Sequence, residues 1–257
     1  MTDTQKTGRI DVVGIGPGSR SCMSLECLDA IRDAEAVIGY KTYVRLVEGL
    51  LDGKAVTKTG MRREVERCRQ AIEMARAGRR VALISGGDAG VYGMAGLALE
   101  LLAERPDPPP VRILPGITAA HAAAALLGAP LMHDFATISL SDLMTDFALI
   151  EKRLDAAAGA DFVIALYNPK SRGRDWQLGR AREILLRRKR PETPVGIVRE
   201  ARRDGERATI TTLGEMMAHE VDMLTVIIVG NSQTRVHDGR MITPRGYASR
   251  ARGEPET

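Results

Sequence analysis

Near its amino terminus the chain reads Ile10-Asp11-Val12-Val13-Gly14-Ile15-Gly16-Pro17-Gly18, an apolar run broken by three glycines and a proline. Leu25, Leu28 and Ile31 then recur at helical spacing, so the stretch predicts a strand, a tight turn and a helix. The unit repeats. Val81 to Ser85 enters Gly86-Gly87-Asp88-Ala89-Gly90 ahead of a helix carrying Met94, Leu97, Ala98 and Leu101, which the breaker Pro106-Asp107-Pro108-Pro109-Pro110 ends. Val111 to Leu114 enters Pro115-Gly116-Ile117-Thr118 ahead of an alanine-rich helix closed by Gly128. Between them lie a short strand, Ala36 to Tyr40, and a helix marked by Val65, Cys68, Ile72 and Ala75 that stops at Gly78. Strands alternating with helices predict an α/β domain.

A second series follows Gly128-Ala129-Pro130, with strands predicted near Ala136 to Leu140, Phe162 to Tyr167, Val195 to Arg199, Arg207 to Thr212 and Leu224 to Val229. Asp204-Gly205 suits the positive backbone dihedrals of a hairpin turn, so this half is expected to mix parallel and antiparallel pairs. The reading is two α/β domains, residues 8–130 and 131–246, with a loose polar tail over 247–257. Ligands of such proteins lie in a crevice between domains or beyond strand carboxyl ends.

The 257 residues exclude a mini-protein, and 44% hydrophobic with 27% charged residues excludes a disordered chain. Nothing resembles a membrane span or an apolar signal core, which leads to the expectation of a cytoplasmic protein. Three cysteines, Cys22, Cys27 and Cys68, are too few for a disulfide scaffold and are read as reduced thiols. Thirty-seven Lys and Arg against 33 Asp and Glu give a net charge of +4, so the surface should draw anions. Only 4% of residues are aromatic, which leaves few stacking platforms for single-stranded nucleic acid; a carboxylate-rich or phosphorylated small molecule is the expected anion.

The glycine turns admit two readings. Glycines after a first strand let a ligand approach the backbone at a helix amino terminus, and a tight strand-to-helix turn needs them in any case. A dinucleotide fingerprint asks for a third glycine where Ser19 stands, and Pro17 removes an N–H from the loop. No Asp or Glu ends the second strand at Gly39-Tyr40, which argues against both NAD and a Rossmann-type methyltransferase. The Lys of a P-loop is missing too. What remains is three turns after three strands of one domain, lining one sheet edge with bare backbone. Asp88 is then either a helix cap, an Arg partner or a neighbour for a ligand cation.

These turns, in this order and spacing, resemble the tetrapyrrole methylase family of S-adenosylmethionine-dependent enzymes, over roughly residues 8 to 246. Within it, Ser139-Leu140-Ser141-Asp142-Leu143 and Leu166-Tyr167-Asn168-Pro169-Lys170-Ser171 resemble the subgroup that methylates C(17) of precorrin-3B and contracts the macrocycle to precorrin-4, in cobalamin biosynthesis. Two stretches depart from the family pattern: Gly87-Asp88-Ala89 where many relatives have Gly-Asp-Pro, and Thr145-Asp146-Phe147 in place of Thr-Pro-Trp. The cluster-binding cysteine extension of some anaerobic-pathway relatives is also missing, which favours the oxygen-dependent route.

The resemblance implies two α/β domains with a cofactor cleft between them, a precorrin substrate, a homodimer, and no nucleic acid, membrane or metal. It places S-adenosylmethionine, leaving as S-adenosylhomocysteine, against Pro17, Gly86, Gly87, Asp88, Val91, Tyr92, Thr118 and Ala119 of the first half. Asn168, Ala201 and Thr225 match from the second, and Val91 and Ile227 would flank the purine. Methyl transfer from a sulfonium is an in-line displacement, so positioning carries most of the catalysis. Ring contraction asks for a group to take the C(20) hydroxyl proton and a donor to help the lactone carboxylate leave. Candidates are Asp142 first, then Tyr40 and His133, with Asp134 and Tyr167 behind them; His133 and Asp134 also read as a hinge pair. A precorrin bears many carboxylates, and Ser141, Lys170, Arg172, Arg199 and Arg202 are the expected substrate contacts, with Arg174 and Arg203 nearby. Arg182, Arg187, Arg188, Lys189 and Arg190 read as a solvated face. Two rivals remain: methylation at another corrin carbon, and an anion-binding regulatory or nucleic-acid module with no chemistry.

Overall fold

A computed structural model describes residues 8–171 and 173–247. The substrate-contact candidate Arg172 and residues 248–257 of the expected tail lie outside the described residues. The chain divides into two compact units between Ala119 and Ala120.

The first unit is an open, fully parallel sheet. Its strands are β1 (Arg9–Gly14), β2 (Ala36–Tyr40), β3 (Ala55–Thr59), β4 (Arg80–Ser85) and β5 (Val111–Leu114), in the order β3-β2-β4-β1-β5. Alternate residues of the central strands are buried on opposite faces, as a parallel sheet covered on both sides requires. One face sets Ile10, Val12, Ile38, Val81 and Leu83 against α3 (Glu64–Arg76) and α4 (Met94–Ala103). The other sets Val13, Val37, Ala82 and Ile84 against α1 (Leu25–Asp33) and α2 (Lys41–Arg45). Ser24 caps α1 by accepting from the Cys27 N–H, which fixes where the chain leaves the first glycine turn. Since β1, β4 and β5 are adjacent and parallel, their carboxyl ends share one edge, and the three glycine turns start from that edge.

The second unit holds α5 (Ala119–Leu127) from Ala120 onward, β6 (Gly128–Ala129), β7 (Phe135–Ser139), α6 (Phe147–Gly159), β8 (Val163–Tyr167), α7 (Gln177–Leu185), β9 (Pro194–Arg199), β10 (Arg207–Thr212), β11 (Thr225–Val229), β12 (Arg235–His237) and β13 (Arg240–Ile242). Its main sheet runs β10-β9-β11-β8-β7, parallel between β7 and β8 and antiparallel elsewhere. The expected Asp204-Gly205 hairpin is present, joining β9 to β10. The core gathers Leu154, Ile164, Leu166, Ile184, Ile197 and Ile227 under α6 and α7. Ile227 is thus fully buried in that core, so the expectation that it flanks a purine is corrected. The Tyr167 hydroxyl accepts from Ala120 N–H, tying the start of α5 to the end of β8. A small sheet, β12-β13-β6, was not expected from the sequence.

Candidate functional site

In the first unit the three glycine turns are joined to each other. Gly16 N–H donates to Gly87 O at 3.0 Å and Gly87 N–H to Gly16 O at 2.8 Å, an isolated bridge between the turns after β1 and β4. Both glycines sit at positive φ, +71° and +67°, a conformation that side chains rarely adopt. Gly116 of the third turn packs so closely that a Cβ there would strike the carbonyl oxygens of Gly87 and Gly14. Glycine is required here by backbone meeting backbone.

Asp88 fastens this junction. Its Oδ1 accepts from the N–H groups of Gly90 (2.8 Å) and Val91 (3.1 Å), and its Oδ2 from Gly116 N–H at 3.0 Å. The helix-cap reading is corrected: α4 starts at Met94 after Gly93, and the Met94 N–H is met by Ser85 Oγ. Cys27, which sequence reasoning passed over as a reduced thiol, lies beneath the same junction. Its Sγ–H is shared between Gly14 O and Pro115 O, each at 3.3 Å, and burial, opposed by the Ser24 hydrogen bond, raises the thiol above its ordinary range. Pro17 and Thr118 are buried, Gly86, Gly87, Asp88, Val91 and Ala119 half-buried, and Tyr92 is exposed at φ +52°. Tyr40 ends β2 beside this edge, its ring edge-on to Tyr43 at 5.4 Å, and the Tyr43 ring lies against Gly86. Among the sequence candidates, all those of the first unit gather at this one edge.

In the second unit the subgroup motifs also meet. Asn168, at φ +51°, donates from Nδ2 to Ser139 Oγ at 2.9 Å, and Ser141 N–H donates to the same oxygen at 3.2 Å. Arg174 is buried, not facing a ligand as expected: its guanidinium donates to Ser171 Oγ, Leu140 O and Asn168 O. Asp142 takes a hydrogen bond from Gln177 Nε2 at 3.0 Å. Asp146, in the departing Thr145-Asp146-Phe147 stretch, caps α6, and Phe147 meets Trp176 edge-on at 4.5 Å. His133 is exposed, its Nδ1 accepting from Asp134 N–H.

Lys170 and Arg199 line one cavity of about 670 Å³ in this unit, together with Arg207, His219, Glu220 and Asp222. Arg199 is not free there. It donates to Asp222 Oδ2 at 2.8 Å and pairs with Glu200, and those bonds raise the guanidinium above its ordinary range. Burial works against the Asp222 charge, yet bonds from Arg199, Thr225 and the Leu224 N–H outweigh it and hold that carboxyl below the usual range. Thr225 is buried with its hydroxyl committed to Asp222. Ala201 is flanked by Glu200 at φ +49° and Arg202 at φ +60°. Of the seven non-glycine residues at positive φ among the described residues, Tyr92, Asn168, Glu200 and Arg202 fall at or beside candidate positions, where backbone strain commonly marks function. Lys189, expected on a solvated face, is instead buried against Asp161 and Phe162 O, and burial lowers its amine. A larger cavity, about 790 Å³ along α3, is lined by residues such as Arg62, Arg69 and Met74 and includes none of the candidates. No group of three metal-ligating side chains occurs among the described residues, nor is any described helix long and apolar enough to cross a membrane.

The tetrapyrrole (corrin/porphyrin) methylases match residues 9–217. The chain belongs to this family. The methylase is 57% identical over 238 residues to a Salmonella typhimurium protein named probable cobalt-factor III C(17)-methyltransferase, covering 93% of this chain and 99% of that one. It is 42% identical over 250 residues to a Sinorhizobium protein named precorrin-3B C(17)-methyltransferase, covering 94% and 98%. Among solved structures it is similar to the methyltransferase CobJ, with a TM-score of 0.87, 38% identity and coverage of 92% and 100%. It is also similar to a Thermus thermophilus uroporphyrin-III C-methyl transferase complexed with S-adenyl homocysteine, with a TM-score of 0.69, 26% identity and coverage of 87% and 97%.

Proposed function

We propose that this methylase transfers a methyl group from S-adenosylmethionine to C(17) of precorrin-3B and contracts the ring to precorrin-4. The observation that carries the reading is the fastened junction of Gly16, Gly87, Asp88 and Gly116, which holds three glycine turns together at one sheet edge. The donor set fits the cofactor: half-buried Gly87, where a Cβ would meet nothing closer than 3.7 Å, leaves its backbone open to a ligand, and the Asp88 carboxylate adds negative charge suited to a molecule bearing ammonium and sulfonium groups. When bound, the cofactor supplies an electrophilic methyl group. Pro17, Gly86, Gly87, Asp88, Val91, Tyr92, Thr118 and Ala119 hold it by main-chain contact and shape. In the second unit Asp142 accepts the C(20) hydroxyl proton, with Tyr40 of the first unit and His133 as the other proton-transfer candidates. Lys170, Arg199 and Arg202, with Ser141, receive the macrocycle's carboxylates, Arg199 as a member of a charge network rather than a lone cation. The protein acts as a homodimer in the cytoplasm.

The test is binding followed by turnover. S-adenosylhomocysteine should bind with micromolar affinity by calorimetry, and precorrin-3B should gain one methyl group while its macrocycle contracts by one ring carbon and stays closed. No heat of binding overturns the cofactor assignment, and methylation without contraction overturns the C(17) assignment. A second reading has a specific observation behind it. The 57% identity to the cobalt-factor III relative, against 42% to the precorrin-3B one, favours the same reaction on a cobalt-bearing macrocycle and weighs against the oxygen-dependent route. Offering both substrates to one preparation separates the readings by which is consumed.

A further inference from the structure

Gln177 opens α7 and is 1% exposed. Its Nε2 donates to Asp142 Oδ2 at 3.0 Å, while its Oε1 is buried without a hydrogen-bond partner among the described residues. An unpaired buried acceptor works against the folded state, and a methionine or leucine would fill similar space without one. Gln177 also makes the only hydrogen bond to the Asp142 carboxylate among the described residues. The loop around Asp142 is held at Ser141, through Ser139 Oγ, and at Asp146, which caps α6, while Leu143 and Met144 between them are 58% and 96% exposed. The orientation of the carboxylate thus depends on one amide.

An amide presents a donor end and an acceptor end of nearly equal shape, and a half-turn exchanges them. Facing a carboxylate, the donor end must point at it; facing a carboxylic acid, the acceptor end can take the acid proton. We propose that Gln177 is a positioning residue for Asp142, holding its carboxyl group in one place through both protonation states of a proton-transfer cycle. The inference rests on the reading of Asp142 as proton acceptor given above. In either orientation one end of the amide stays unpaired, so neither protonation state is locked in. A clamp of several donors, such as the one on Asp88, would instead hold the charged form.

Charged groups on the elements around Asp142 include Asp146 and Glu151 of the α6 region, Lys170 after β8, and Arg174, Asp175 and Arg180 before and within α7. Arg174 is bonded to Leu140 O, and Arg180 is paired with Glu151. None of these changes in the variants below, so a shift between them reports Gln177 alone.

The experiment measures methylation and ring contraction separately in wild type, Gln177→Met and Gln177→Leu. Because the amide can serve either form of the carboxyl group, its loss should slow contraction about tenfold through misplacement of Asp142, with methylation and the KM for the methyl donor unchanged. In an Asp142→Asn background, Gln177→Met should add nothing further. Equal slowing of both steps in the folded variants, or an effect that persists in the Asp142→Asn background, overturns the inference. Absence of wild-type turnover would instead overturn the proposed function; the ¹³C resonance of the Asp142 carboxyl at a single pH, unmoved in both folded variants, would then still overturn the role of Gln177.

Discussion

Asp88 shows how one side chain can turn three separate bends into one surface. It accepts three backbone N–H groups from two turns, so its removal unfastens a junction rather than deleting a contact. Asp88→Ala should cost about 2 kcal/mol in urea unfolding and weaken S-adenosylhomocysteine binding while the far-ultraviolet spectrum stays native. Asp88→Asn keeps an acceptor for Gly90 and Val91 but sets an NH₂ against the Gly116 N–H, so it should fall between wild type and alanine. Unchanged affinity in both variants would remove Asp88 from the site. Gly116→Ala drives a Cβ into two backbone oxygens that cannot rotate away, and should cost about 1–3 kcal/mol with loss of binding. The glycines were legible in the sequence because their φ values and close approaches are local demands. Their fasteners were not. Cys27 reaches Pro115 across 88 residues and Gln177 reaches Asp142 across 35, and no periodicity encodes such pairs.

At the level of elements, strands with apolar runs were readable, and β10 through the Asp204-Gly205 turn before it, but strands with neither signal were not. β3, Ala-Val-Thr-Lys-Thr, is an edge strand with a mostly exposed face, so it lacks the pattern that betrays β1 and β4. β6, β12 and β13 are two or three residues long and exist only by pairing with each other. α6 carries a different lesson: the departure Thr145-Asp146-Phe147 still starts a helix, because the Asp146 carboxylate accepts from the Ala148 N–H at 3.1 Å. Asp146→Ala should lower stability by about 1 kcal/mol, read from the urea midpoint. If the cap also steadies the Asp142 loop, contraction should slow more than methylation. Equal slowing of both steps would confine Asp146 to helix capping.

Across the whole molecule, the α/β character was legible because strand–turn–helix units repeat, whereas the tie of α5 to β8 through the Tyr167 hydroxyl was not, since it joins residues 47 apart in the chain. The two units also carry buried titratable groups that answer alkali in opposite ways. In the first, burial pushes the Cys68 thiol up to about 11 from an ordinary 9.0. The folded state then binds more protons than the unfolded chain between those values, so this stabilisation is complete below pH 9 and is lost as pH rises through 11, about 3 kcal/mol in all. In the second, burial lowers the Lys189 amine despite Asp161. There the unfolded chain binds more protons in the window below 10.5, so stability rises with pH up to that value. Urea unfolding from pH 8 to 11 should therefore show the wild-type advantage over Cys68→Ala shrinking, and that over Lys189→Met growing. Because each comparison is a difference between two proteins at one pH, the titration of tyrosines and surface lysines cancels from it. Curves that stay parallel for either pair would mean that the group is hydrated in the folded protein and its burial has no electrostatic consequence.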